Sequence, residues 1–143
     1  KSFYQTLNDE KKFLYQDKNI TKYKHIVQNQ KLDLIKTLID LKQNGNIISA
    51  IGAPSRGTTL MNFCGIDNSL ISNICEIKGS HKIGKYMPGT TIPVIDESII
   101  FENQPDYVLL LSWHISDELI YNLKKKGLKS KFIIPLPTVK IID

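Results

Sequence analysis

Four residue types are gathered in the stretch SAIGAPSRGTTL, Ser49 to Leu60: glycine, serine, threonine and one arginine. Gly52 and Gly57 stand with four residues between them. Ser55, Thr58 and Thr59 bring hydroxyls, and Arg56 brings a planar cation. An apolar run before the first glycine and a helical pattern after the second make a strand, a turn and a helix start. Free N–H groups at such a start attract phosphate. The spacing fits neither common phosphate loop. In a dinucleotide loop, G-x-G-x-x-G, the first glycine position here holds Ala50. In a triphosphatase loop, G-x-x-x-x-G-K-[ST], Thr58 stands where the lysine belongs, so nothing here drives hydrolysis. A diphosphate fits what remains. A plain strand-to-helix turn, with Thr58 as its N-cap, accounts for the same residues.

Two further loops carry candidate chemistry. KGSHKIGKYMPGT brings Lys78, His81, Lys82 and Lys85, with Tyr86 able to stack on a ring. A solvated basic loop has the same composition. Trp113 and His114 follow the run DYVLLLS, where a histidine can donate to an anion or simply cap a helix. Glu76 ends another apolar run, at a place where dinucleotide folds hold a ribose. No nucleophile elbow, paired carboxylates or metal-ligand spacing is present, so the residues read as a binder without a reaction centre.

These loops need a scaffold, and the chain has one. NIISAIG, SLISNICEI, IPVID, DYVLLLSW and KFIIPLP read as five strands. Helical patterns separate them: GTTLMNFCG closed by Gly65, ESIIFENQ stopped by Pro105, and ISDELIYNLKKKG with Ser116 as cap. Strands alternating with helices predict a parallel sheet of order 3-2-1-4-5. The expected fold is α/β, a Rossmann-like three-layer sandwich with a five-stranded parallel sheet, preceded by an N-terminal helical segment. Every loop singled out above then falls at the carboxyl ends of the strands, where ligands bind. Upstream, Asn19 or Thr21 caps a long helix whose stripe is Ile26, Val27, Leu34, Ile35, Leu38 and Leu41, ended by Gly45. Residues 1–20, with Phe3, Tyr4, Leu7, Phe13 and Leu14 as anchors, read as a connector or helix from a preceding domain, and 21–143 as the Rossmann-like domain.

Composition agrees with one such domain. The chain has 143 residues, 41% of them hydrophobic, enough for a real core. Its net charge of +5 favours anionic ligands. The lysines are scattered, so neither nucleic acid nor membrane is an expected partner. Cys64 and Cys75 form no disulfide framework and read as buried thiols of a cytoplasmic protein. No apolar run nears the roughly 20 residues of a membrane helix. The chain opens on Lys1 and is read as part of something longer.

Four stretches, in order, also resemble a known family: IGAPSRGTTLMNFCGI, HKIGKYMPGTTIPV, PDYVLLLSWH and KFIIPLPTVKII. Together they are similar to the C-terminal domain of the sugar C-methyltransferases, over about residues 20–143. Those enzymes methylate a carbon of a nucleotide-linked deoxysugar with S-adenosylmethionine. The resemblance implies a substrate-side domain of a larger chain, whose missing parts carry the donor, the catalytic residues and zinc. It implies no cofactor in this chain and no catalysis by it alone. The implied partners are a nucleotide-linked sugar and the methyl-donor domain of the same chain. Gly52, Ala53, Ser55, Arg56, Gly57, Thr58 and Thr59 become candidate diphosphate contacts, with Lys82, Lys85, Tyr86 and His114 around them. The family usually has lysine at Arg56, aspartate at Ile77, proline at Ser80 and asparagine at His114. The acid here stands one residue early, at Glu76, which in a strand turns a side chain to the other face. A free-standing binder of a dinucleotide or coenzyme A, or a docking module, remain the alternatives.

Overall fold

Eleven helices and strands in a computed structural model build three layers, with residues 2–14 and 16–143 described. Two helices come first, α1 (Phe3–Leu14) and α2 (Asp17–Gln43). The parallel strands are β1 (Ile48–Ile51), β2 (Ile74–Glu76), β3 (Val94–Asp96), β4 (Tyr107–Leu110) and β5 (Lys131–Ile134). Between them lie α3 (Ser55–Cys64), α4 (Ser98–Glu102) and α5 (Ser116–Lys125), the last preceded by a 3-10 turn at Trp113–Ile115. A sixth strand, β6 (Lys140–Ile142), ends the chain.

The sheet runs β3-β2-β1-β4-β5-β6. The expected order of the five parallel strands is therefore found, in a mixed, mostly parallel, Rossmann-like sheet. The strand count is corrected from five to six. After Leu136-Pro137 the chain turns back, and β6 pairs antiparallel with β5, Ile133 opposite Ile141. An antiparallel return needs only a short turn, so VKII carried no crossover signal. The strands are also shorter than their apolar runs. Only Ile74–Glu76 of SLISNICEI is strand, because residues from Asp67 to Ile71 form turns.

Alternation along the strands divides the core. Ile48, Ala50, Leu109 and Ile133 face α2 and α3, where Leu34, Leu38 and Met61 are fully buried. Ile51, Val108, Leu110 and Phe132 face α4 and α5. Truncating a leucine at Leu34 or Leu38 would cost about 2–5 kcal/mol. The helical stripe expected on α2 packs only in its second half, and Ile26 stays exposed. The helix starts at Asp17 rather than at an Asn19 or Thr21 cap, with Gln16 outside it. Its end is as expected: Gly45, at φ +80°, follows the C-cap Asn44. α1 buries none of its residues. Of the expected anchors, Phe3, Tyr4, Phe13 and Leu14 are exposed.

Candidate functional site

The four buried residues of β1 end at Gly52, which turns the chain at φ +80° and donates its N–H to Cys75 O at 2.8 Å. A Cβ there would lie 3.0 Å from Ser112 Oγ, so the loops after β1 and β4 touch. Ala53 comes next and is held from both sides. Its N–H donates to Glu76 Oε2 at 2.8 Å, and its carbonyl accepts from Lys82 Nζ at 2.7 Å. Lys82 and Glu76 are themselves 3.7 Å apart. Glu76 thus reaches back to the β1–α3 loop. The opposite expectation, that its early position turns it away, is corrected.

Pro54, extended at φ −78° and ψ 158°, is the N-cap of α3, with no side-chain cap bond. The Thr58 cap of the plain-turn reading is therefore corrected: the N-cap lies four residues earlier. Thr58 N is the first to bond back, to Pro54 O at 3.1 Å. Ser55, Arg56 and Gly57 keep N–H groups without a partner inside the helix. The threonines are already engaged with the backbone. Thr58 Oγ1 lies 3.4 Å from Pro54 O and 3.1 Å from Met87 Sδ, and Thr59 Oγ1 donates to Ser55 O at 3.2 Å. Gly57 is buried, and a Cβ there would meet Leu111 Cβ at 2.9 Å. Its smallness lets α3 sit close on β4, a packing role that its place in the motif did not distinguish from ligand approach.

Successive residues on a helix project about 100° apart, so α3 divides the candidate residues between two clefts. On one side, Ala53, Ser55 and Thr58 meet His81, Lys82, Lys85 and Tyr86 around a cavity of about 270 Å³. The loop from Ile77 to Pro93 forms its other wall. Val94 N donates to Lys85 O at 2.8 Å, and Met87 N to Ile92 O at 2.9 Å. Asn62 ties this loop to α3, with Nδ2 donating to Thr58 O at 2.8 Å and Pro88 O at 2.9 Å. Lys82 is spent on Ala53 and Glu76, which leaves Lys85 and His81 as the exposed basic groups of this cavity.

On the other side, Arg56 and Thr59 line a larger apolar cleft of about 380 Å³ with Trp113, Phe63, Tyr23 and Lys31. Arg56 and Lys85 therefore do not share a cavity. The α2 side of this cleft was not foreseen. Its signal was the spacing of Tyr23, Val27 and Lys31, four apart on one helix face. His114 is exposed on the 3-10 turn and lines neither cleft.

The model of the C-methyltransferase C-terminal domain matches residues 1–137. The chain belongs to this family. It is 33% identical over 102 residues to the C-methyltransferase NovU of Streptomyces niveus, a match covering 70% of this chain and 24% of that protein. The chain thus spans only a minor part of the relative's length. The family match takes in α1 and α2 and ends before β6.

In dinucleotide folds a carboxylate at the end of the second strand holds a ribose. In this C-methyltransferase C-terminal domain Glu76 is taken by Ala53 and Lys82. Among the described residues, no group of three or more His, Cys, Asp or Glu is placed to hold a metal. No helix there is long and apolar enough to cross a membrane.

Proposed function

We propose that this domain is the substrate side of a C-methyltransferase and holds a nucleotide-linked sugar by its diphosphate, at the start of α3. A single observation carries the reading. Lys85, His81 and Tyr86 line one cavity with Ser55, next to the N–H groups of Arg56 and Gly57 that no helical carbonyl uses. Hydrogen bonds to charged groups contribute about 1.5–3 kcal/mol each when shielded. The domain orients the sugar, and the donor-bearing part of the parent chain, an S-adenosylmethionine enzyme of the cytoplasm, supplies the methyl group. This chain alone transfers none.

Calorimetric titration tests the reading. Nucleoside diphosphate sugars are compared with dinucleotides and coenzyme A, at low and high salt. The expected result is saturable binding of a sugar nucleotide that weakens with salt and with Lys85→Ala. Tighter binding of a dinucleotide, or no binding of any of them, overturns it. Methyl transfer from labelled S-adenosylmethionine by this chain would overturn the division of labour.

A further inference from the structure

The cleft between α2 and α3 has a composition unlike its neighbour across α3. It encloses about 380 Å³, within the usual range of small-ligand sites. Three aromatic side chains line it, Tyr23, Phe63 and Trp113. Tyr23 is 66% exposed and Phe63 42% exposed, so large ring surfaces stand open. Two cations are present and differ. Lys31 Nζ donates to Phe63 O at 2.7 Å and lies 5.0 Å from the Phe63 ring centroid, so it is already held. The Arg56 guanidinium has no partner among the described residues and stands on the first turn of α3.

The geometry points to a nucleobase site: this cleft takes the base of a nucleotide, stacked on its aromatic side chains, with Arg56 on the phosphate next to the base. This rests on the reading that α3 holds a diphosphate. A flat apolar ring joined to an anion is what aromatic walls with one unpaired guanidinium at their edge select. The two clefts then divide one ligand. Thr59 and Arg56 face the base side, and Ser55 and Thr58 face the basic cavity on the sugar side, with the diphosphate crossing between them. Stacking tolerates any base, so the aromatic side chains set the class of ligand and not its identity.

Trp113 is the chain's single tryptophan; it lines this cleft and also packs against the core on the α5 side, so its fluorescence reads binding here once melts show that core unchanged. The chain is titrated with adenosine, guanosine, uridine and thymidine 5′-monophosphates and with inorganic pyrophosphate. In parallel, nucleoside diphosphate sugars are titrated by calorimetry. At least one monophosphate is expected to quench Trp113 saturably, and pyrophosphate is not. Phe63→Ala and Tyr23→Ala, both at exposed positions, should each weaken that monophosphate about five- to a hundredfold. Arg56→Ala should weaken it about tenfold or more, Arg56→Lys less, and Lys125→Ala, on α5, not at all. Circular dichroism melts confirm that each variant is folded. If sugar nucleotides bind by calorimetry while Trp113 fluorescence and the Phe63→Ala affinity stay unchanged, the base lies elsewhere and only this inference falls. If neither monophosphates nor sugar nucleotides bind, both this inference and the diphosphate reading fall. Monophosphate binding indifferent to Phe63→Ala and Tyr23→Ala also overturns it.

Discussion

The ammonium of Lys82 donates to the carbonyl oxygen of Ala53 at 2.7 Å, across 29 positions of sequence. The other side of that residue is held by Glu76, and the Glu76 and Lys82 side chains are 14% and 40% exposed. Ala53 is buried, so its N–H has little access to water if Glu76 is lost. Glu76→Ala should therefore destabilise the domain by about 1–3 kcal/mol, the cost of an unsatisfied buried donor. Glu76→Gln keeps an acceptor and should cost much less. Lys82→Ala removes a more exposed partner and should cost about 1 kcal/mol or less. Urea midpoints of the three variants check the order. An unchanged midpoint in Glu76→Ala would show that the loop does not depend on this bond.

Gly57 is a packing residue first. Gly57→Ala puts a Cβ at 2.9 Å from Leu111 Cβ, where one side must move. A loss of about 1–3 kcal/mol is expected, and more for Gly57→Val. Gly65 makes a useful contrast, because a Cβ there meets nothing within 4 Å but its φ is +72°. Gly65→Ala should cost only the left-handed strain, about 1–2 kcal/mol. Thermal melts of both, followed by refined coordinates of Gly57→Ala, decide the matter. An α3 that has not shifted against β4, in a variant as stable as the parent, refutes the packing role.

Asn62 holds the basic loop through Pro88 O and its own helix through Thr58 O. A Cβ at Gly89 would fall 1.9 Å from Asn62 Oδ1, so the loop and α3 are in close contact. Asn62→Ala should loosen the loop more than the sheet. Limited trypsin digestion should then cut faster at Lys78, Lys82 or Lys85, with a stability loss of about 1 kcal/mol. Equal cutting rates in parent and variant would remove Asn62 as the tie.

Cys75 provides a pH signature. Burial pushes its thiol up from the ordinary 9.0 to about 12, with the carboxylates of Glu97 and Asp96 adding to the shift. Below 9.0 both native and unfolded chains hold the proton, and the contribution to stability is complete. Between 9.0 and about 12 the unfolded chain ionises while the native one does not, so stability falls as pH rises through that window. The urea midpoint of the parent should thus drop more between about pH 8 and about pH 10.5 than that of Cys75→Ala. Parallel pH profiles for the two proteins would contradict the burial of this thiol as the cause.

His114 stands exposed on its turn. His114→Ala should change stability by less than about 0.5 kcal/mol. A larger drop in the melting transition would mean that the side chain packs in a way its exposure does not reveal.

The local sequence determined the order of elements. Apolar runs of Ile and Leu separated by capped helical patterns specify alternating strands and helices, and the 3-2-1-4-5 order was the Rossmann-like one among those that right-handed crossovers allow. Positive φ at Gly52 and Gly65 was likewise legible, because only glycine takes it without strain. The clustering of Ser55 with Lys85 and Tyr86 followed from topology, since parallel strands carry their loops to one edge. Three things needed the folded chain. The return of β6 depends on a turn at Pro137 and on an open edge of β5, neither of which has a period to read. The Glu76–Ala53–Lys82 contact depends on how two loops 29 residues apart meet in space. The division of the GAPSRGTT stretch into two clefts depends on the helix beginning at Ser55, which sends Arg56 toward α2 and Ser55 toward the basic loop. A motif written as a line places its residues together, and a helix spreads them around an axis, so which of them share a cavity was decided only by tertiary structure.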